Sequence, residues 1–306
     1  MAAIPKTPSG MSARRDIKSL PASRIGLGTV QFGINYGVSN TTGQVSAPEV
    51  SAILATASEG GIRVLDTAAS YGTAEQALGR ALQPGHRFDI VTKTLPLSHG
   101  LEDVENRARR SLEYLGEKQA EAILVHAAQD LVGPDGPRLW ALLQRLRDEG
   151  LFKRIGISAY FADAPLELAR RYRPDLMQIP FSILDQRLLQ NGELASLKEL
   201  GIEIHVRSIF LQGLLMMDPR KLPANLTHAS PALAATRARI REAGLTPVAA
   251  GIGFALARSE VDIAVVGVTR SDELSEIVAA SAAALPEFDW AACAIDDAIA
   301  LTPSRW

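Results

Sequence analysis

Eight short apolar runs, each followed by a stretch of helical character, constrain this chain more than any other feature. They are "RIGLGTVQF" (24–32), "RVLDTA" (63–68), "FDIVTK" (88–93), "EAILVH" (121–126), "RIGISA" (154–159), "LMQIPF" (176–181), "IEIHVRSI" (202–209) and "IAVVGV" (263–268). Most are near-continuous in Val, Ile and Leu, without strict alternation with polar residues. That is the pattern of parallel strands covered on both faces. The segments between them read as amphipathic helices. In "LEDVENRARRSLEYLG", Leu101, Val104, Ala108, Leu112 and Leu115 recur three or four residues apart, with charges on the opposite face. Thr73 and Gln76 have the spacing of a capping box opening "TAEQALGRAL". "PRLWALLQRLRDEG" closes on Arg147 and Gly150, both ordinary C-terminal signals.

Alternating strands and helices predict an α/β protein, a single-domain (β/α)8 TIM barrel, and 306 residues suit that size. The alternative is an open doubly wound sheet, which carries G-x-G-x-x-G after its first strand. Gly26, Gly28 and Gly33 have the wrong spacing, and no helix is expected to open there. Residues 1–22 read as a flexible tail, with Met11 a candidate start, and 23–306 as the barrel. Segment 208–229 contains two prolines, Pro219 and Pro223, and is long for a loop in a compact domain, which marks it as functional or disordered.

Composition narrows the function classes. A net charge of −2 gives no reason to expect a nucleic-acid or membrane partner. No apolar run approaches the roughly 18–20 residues that cross a bilayer. The N-terminus lacks the apolar centre of a secretory signal. A single cysteine, Cys293, rules out an internal disulfide framework and suits the cytoplasm; it reads as a buried small hydrophobe. No metal-binding spacing and no G-x-S-x-G elbow are present. Oligomeric state leaves no mark on the sequence.

In a barrel, the C-terminal strand ends form the active-site face. Three candidate strands end on or close to a titratable residue, Asp66, Lys93 and His126, and Tyr71 follows in the loop after the second. Alone, each has an ordinary explanation: a turn-forming aspartate, a snorkelling lysine, a satisfied core histidine, a packed aromatic. Together at one rim they form a proton-donating set. A lysine ammonium about 4 Å from the phenol favours phenolate by up to roughly 4 kcal/mol, about three pKa units at an effective dielectric near 20. Asp66 would hold the lysine charged, and His126 would hold a carbonyl oxygen beside Tyr71. The set suits a carbonyl receiving hydride, which an organic cofactor must supply.

These residues lie in blocks that resemble the aldo-keto reductases. "LDTAASYG", "IVTK", "SLEYLG", "ILVH", "RIGIS", "MQIPFSILDQR" and "VVGVTRSDELSEI" follow that family's order over roughly residues 24–283. The resemblance implies a (β/α)8 barrel binding NAD(P)H across its C-terminal rim. Its catalytic tetrad falls on Asp66, Tyr71, Lys93 and His126, with Tyr71 as proton donor and a small-molecule carbonyl compound as substrate. It further implies cofactor contacts at Thr29, Ser158 and Gln178. A family asparagine is replaced by Ala159, and a ring-stacking aromatic by Arg207. The block 207–215, with Leu211, Gln212 and Gly213, should follow the pyrophosphate, with the long loop behind it as a lid. Thr269, Arg270 and Ser271 are placed to read a 2′-phosphate, while the usual lysine and second arginine fall on Gly267 and Glu273. The adenine-contacting asparagine falls on Ile277, beside a retained Glu276. Arg270 points to NADP(H) and Glu273 to NAD(H), and the expectation is NADP(H). Phe32, Tyr36 and Phe161 are candidates to face substrate, in a pocket left open because little chain follows the last helix. "GTVQFGINYGVSN" is similar to members linked to sugar metabolism, which suggests a sugar-like or polar aldehyde. Two other readings remain: a nicotinamide-binding regulatory subunit, and a class-I aldolase-type barrel using Lys93 as a Schiff base.

Overall fold

The computed structural model describes residues 21–306. The proposed tail falls outside these residues except for its last two, which begin a 3-10 turn, Pro21–Arg24. Eight strands close into a barrel in sequence order: β1 (Ile25–Gly28), β2 (Val64–Asp66), β3 (Asp89–Lys93), β4 (Ala120–Val125), β5 (Phe152–Ser158), β6 (Leu176–Pro180), β7 (Glu203–Arg207) and β8 (Ile263–Gly267). Every pairing is parallel, and β8 returns to β1 with Gly28 opposite Gly267. Helices such as Ala47–Glu59, Leu101–Leu115, Gly136–Asp148 and Ser271–Ser281 alternate with the strands. Among the described residues, no helix is long and apolar enough to cross a membrane.

The apolar runs are continuous because both faces of the sheet are buried. Val64, Val91, Ala122, Leu124, Leu176, Ile263 and Val265 form one small cluster, the barrel interior. Their strand neighbours Leu65, Ile90, Ile123, Met177 and Ala264 belong to the larger core beneath the helices. Strand side chains alternate between faces. Asp66, Lys93, His126 and Gln178 therefore share the interior face with Val64, Val91, Leu124 and Leu176. Gln178 stands in register with His205, and Pro180 with Arg207, so Arg207 also points inward at the mouth.

Three local expectations fail. The first strand stops at Gly28, four residues early, and a short helical turn (Val30–Gly33) opens where no helix was expected. The Thr73 capping box does not form: the helix Ala74–Ala81 has no side-chain cap, and the Thr73 hydroxyl instead accepts a 3.0 Å hydrogen bond from Gln44 Nε2. Segment 208–229 is not disordered but is wound into 3-10 turns, Leu211–Met216, Pro219–Lys221 and Ala224–Ala229.

Gly33 and Gly72 explain how the first turn meets the loop carrying Tyr71. A Cβ on Gly33 would lie 1.8 Å from the Tyr71 carbonyl oxygen. Gly72 has φ +56, and its Cβ would lie 2.6 Å from the Gly33 carbonyl. Two glycines back to back let the Tyr71 loop sit directly on the β1 turn.

Candidate active site

The C-terminal mouth opens into a cavity of about 670 Å3, running from Asp66, Tyr71 and His126 to Arg270, Glu273 and Glu276. At its inner end, Lys93 Nζ donates to both carboxylate oxygens of Asp66 (2.8 and 2.7 Å) and to the Thr67 carbonyl (2.9 Å). It also reaches the Tyr71 hydroxyl at 3.4 Å and lies 5.0 Å from the ring centroid. Gln178 Nε2 donates to Asp66 Oδ1 at 2.7 Å. An ammonium only donates, so the Tyr71 oxygen accepts and its own proton stays free for a ligand. The His126 ring stands edge-on to Tyr71, centroids 5.6 Å apart at 81°.

A further layer holds the Tyr71 loop from behind. Buried Glu75 accepts from Thr92 Oγ1 at 2.6 Å and pairs with Arg107. Arg107 also donates to the Ala69 carbonyl at 3.2 Å. Thr92 precedes Lys93 on β3, so this layer ties the loop of the phenol to the strand of the ammonium.

Burial decides the electrostatics. It opposes the Lys93 ammonium, but Asp66 and the Tyr71 hydroxyl more than offset this and hold the pKa above its ordinary value. That geometry disfavours the Schiff-base reading, because a charged, fully engaged amine is no nucleophile. Tyr71 departs from expectation. Burial pushes its pKa up, and the pull of Lys93 does not overcome it, because Asp66 acts against that pull. Tyr71 is therefore a phenol at neutral pH, with the ammonium placed to receive negative charge as its proton leaves. Burial, then Lys93, push His126 down to about 4, so its imidazole is neutral. Burial raises the Cys293 thiol to about 11, in keeping with an inert core residue.

Thr29, Ser158, Gln178, Arg207, Gln212, Gly213, Thr269, Arg270 and Glu276 all line the cavity, as does Ile277. Leu211 does not; its side chain is buried in the core. Of the substrate candidates only Tyr36 lines the cavity. Phe32 is fully buried packing. Phe161 is turned away in the 3-10 turn Phe161–Asp163, beneath the Arg187 guanidinium at 4.6 Å, and Tyr160 takes its place. Neither Tyr160 nor Gln31 carried a distinguishing signal in the sequence. Gln212 Nε2 donates to the Tyr36 hydroxyl at 2.8 Å, and the Val38 amide donates to the Gln212 carbonyl at 3.1 Å. The β1 loop is thereby strapped to the β7 loop over the cavity. Ser208, Leu211 and Gln212 have φ of 61, 49 and 53. Left-handed non-glycine backbone of this kind is strained and concentrates at functional sites. The residues after 281 pack against the β6 loop, through Gln186 to the Trp290 carbonyl and Ile295 to the Leu184 carbonyl, and none lines the cavity.

The residues present fit a dinucleotide. The cavity joins the Asp66 end to the Glu276 end, and buried Gln31 Oε1 on its wall has no hydrogen-bond partner among the described residues. Gly28, Gly213 and Gly267 put bare backbone on its wall. At the outer end, however, carboxylates fill the turn that opens the helix Ser271–Ser281. Glu273 accepts from the amides of Thr269 (2.7 Å) and Arg270 (3.3 Å). Glu49 accepts from the Ser271 amide at 2.6 Å, and the Arg270 guanidinium is held by Asp272 at 2.9 and 3.0 Å.

Comparison with known proteins gives a consistent picture. The family model described as the aldo/keto reductase family matches residues 24–297. An aldo-keto reductase of Mycolicibacterium vanbaalenii is 32% identical over 126 residues, 39% of this chain and 44% of that protein. The match thus spans less than half the length of that relative. The NADH-specific methylglyoxal reductase of Escherichia coli is 27% identical over 217 residues, 63% of this chain and 65% of that protein. An aldo-keto reductase from Bacillus halodurans, solved in its holo form, superposes with a TM-score of 0.72 at 21% identity, covering 86% of this chain and 88% of that one, a likeness of fold.

Proposed function

Because the chain belongs to the aldo/keto reductase family, we propose that it reduces an aldehyde or ketone to the alcohol with a nicotinamide cofactor, Tyr71 donating the proton. The observation that carries this reading is the chain Asp66–Lys93–Tyr71 beside neutral His126 at the barrel mouth. The bound nicotinamide supplies the hydride. Tyr71 and His126 face the site where a carbonyl oxygen gains negative charge. Neutral His126 donates a hydrogen bond to that oxygen, and Tyr71 delivers the proton. Lys93 then stabilises the phenolate, and Asp66 keeps Lys93 charged and aimed. Ser158 and Gln178 would hold the carboxamide of the ring, and Thr29 and the 211–213 turn would follow the diphosphate.

The expectation of NADP(H) rests on Arg270, yet that guanidinium is already engaged by Asp272. Glu273 and Glu49 occupy the amides that would cradle a 2′-phosphate. This arrangement favours NAD(H), whose ribose hydroxyls suit carboxylate acceptors. The E. coli relative is named as NADH-specific. The polar side chains on the cavity wall, among them Tyr36 and Gln212, suit a sugar-like or other polar aldehyde, and the lone buried thiol suits the cytoplasm.

The test is loss of reduced-nicotinamide absorbance with a panel of aldehydes and ketones. Turnover that disappears in Tyr71→Phe supports the reading. No turnover with any carbonyl and either dinucleotide would sink it.

A further inference from the structure

The Tyr71 hydroxyl meets Lys93 Nζ at 3.4 Å, the longest of the contacts this ammonium makes. That distance is close to the limit of a hydrogen bond, so a small shift of the Tyr71 loop would break it. The loop has little packing of its own, because Thr67, Ala68, Ala69 and Ser70 are small. Backbone bonds hold its first half along β3: the Thr67 amide donates to the Val91 carbonyl at 2.8 Å, and the Ala69 amide to the Lys93 carbonyl at 3.1 Å. At Ala69 a side chain takes over. Arg107 donates to the Ala69 carbonyl at 3.2 Å. The residue two before Tyr71 is thus gripped by β3 on one side and by the helix Leu101–Leu115 on the other.

Arg107 is itself aimed. It donates to Ser111 Oγ at 2.7 Å, and its guanidinium lies 5.1 Å from the Tyr114 ring centroid. It pairs with Glu75, whose side chain is 1% exposed and whose other oxygen accepts from Thr92 on β3. Glu75 stands in the helix Ala74–Ala81, just after the loop. None of Glu75, Thr92 and Arg107 lines the cavity. Packed apolar groups often stabilise a fold as well as a buried ion pair does. What this pair adds is direction, because its hydrogen bonds fix where the Ala69 carbonyl lies.

We infer that Glu75 and Arg107 are positioning residues for the proton transfer: acting through Ala69, they keep the Tyr71 hydroxyl within reach of Lys93 and of the reacting oxygen. This rests on the proposed reductase reading. It gives two residues that lie outside the cavity a part in the rate, and none in binding.

The test is a double variant, Glu75→Gln with Arg107→Met. It keeps an acceptor for Thr92, removes both charges so that neither is stranded, and deletes the tie to Ala69. A urea titration checks that it folds. Its kcat should fall at least about tenfold, the order expected when a catalytic group is misplaced by a distant change. The KM for the carbonyl and the dinucleotide affinity should stay within about twofold. The solvent deuterium isotope effect on kcat should rise, because the proton step has become slower than the rest. Arg107→Lys should recover part of the rate, since an ammonium keeps the Glu75 pair but lacks the fork that also spans to Ala69. Should the double variant not fold, the same measurements on Arg107→Lys decide. An unchanged kcat overturns the inference. So does a fall in kcat matched by an equal fall in dinucleotide affinity, because the pair would then merely support the rim. A reading independent of turnover comes from nuclear magnetic resonance of isotope-labelled tyrosine in the protein without ligand. The Tyr71 signal, identified as the one missing in Tyr71→Phe, should move or broaden in the variant. A signal that stays in place overturns the positioning role. A signal that moves sustains it even if the wild type reduces no carbonyl, which separates this inference from the reductase reading.

Discussion

The two ends of the cavity carry similar groups in opposite arrangements. At the inner end, Asp66, Lys93, Tyr71 and Gln178 come from separate strands and loops and are buried into one hydrogen-bonded chain. At the outer end, Thr269, Arg270, Asp272 and Glu273 are sequence neighbours at a helix start, partly exposed, joined from afar by Glu49. Inside, low dielectric makes every contact strong, and removing one partner strands another. Outside, water and salt screen the same types of pair. On the proposed function, the inner end would carry the chemistry and the outer end the choice of dinucleotide.

The largest expected effect tests that division. Tyr71→Phe should lower kcat by about a thousandfold, with dinucleotide affinity nearly unchanged. A variant keeping a tenth of the rate would mean the proton comes from elsewhere.

Lys93→Met leaves Asp66 buried without its ion partner. Thermal or urea unfolding should show a loss of roughly 3 kcal/mol. Arg270→Met, by contrast, should leave the unfolding midpoint unchanged, because its pair with Asp272 is screened by water. Equal losses at the two sites would erase the contrast between buried and screened pairs.

His126 should make the fold sensitive to acid. Its folded pKa of about 4 lies below the ordinary 6.5. Between those values the unfolded chain holds a proton that the folded one lacks, so stability falls as pH drops through this window. From about pH 7 to about pH 5 the loss should be about 2 kcal/mol more in the wild type than in His126→Gln, by urea titration. The reduction rate should show no inflection between about pH 6 and about pH 9, because His126 stays neutral and the Tyr71 phenol keeps its proton. An inflection near neutrality would contradict both assignments.

The smallest effect is expected at the outer end. Glu273→Gln removes a charge and keeps an acceptor, and should improve NADPH affinity by about tenfold relative to NADH. Wild-type protein that already binds NADPH more tightly would show that the carboxylates yield the turn to phosphate.

The inner end was legible because strand periodicity is local. A run such as "RVLDTA" must bury its apolar residues, and alternation puts Asp66 on the same face as Val64 wherever the strand is packed. The same reading puts Lys93 and His126 at strand ends and Tyr71 in the loop after the second strand, and the family blocks then match all four. Other readings failed where a neighbour distant in sequence intervenes. Gln44 takes the Thr73 hydroxyl and the capping box with it. The Asp163 carboxylate accepts from the Tyr160 amide at 2.7 Å in a tight turn, and Tyr160 rather than Phe161 faces the cavity. Glu75 and Arg107 support the Tyr71 loop, and nothing in their spacing announced it.

By itself the sequence determined the barrel, its strand order and the identities of the four groups at the mouth, because these follow from short-range patterns that any closed parallel sheet must satisfy. Only the tertiary structure decided that the Tyr71 phenol resists ionisation and that Glu49 reaches Ser271 across 222 positions. Desolvation and charge pairing depend on which groups share a buried volume, and that is fixed only when the barrel closes.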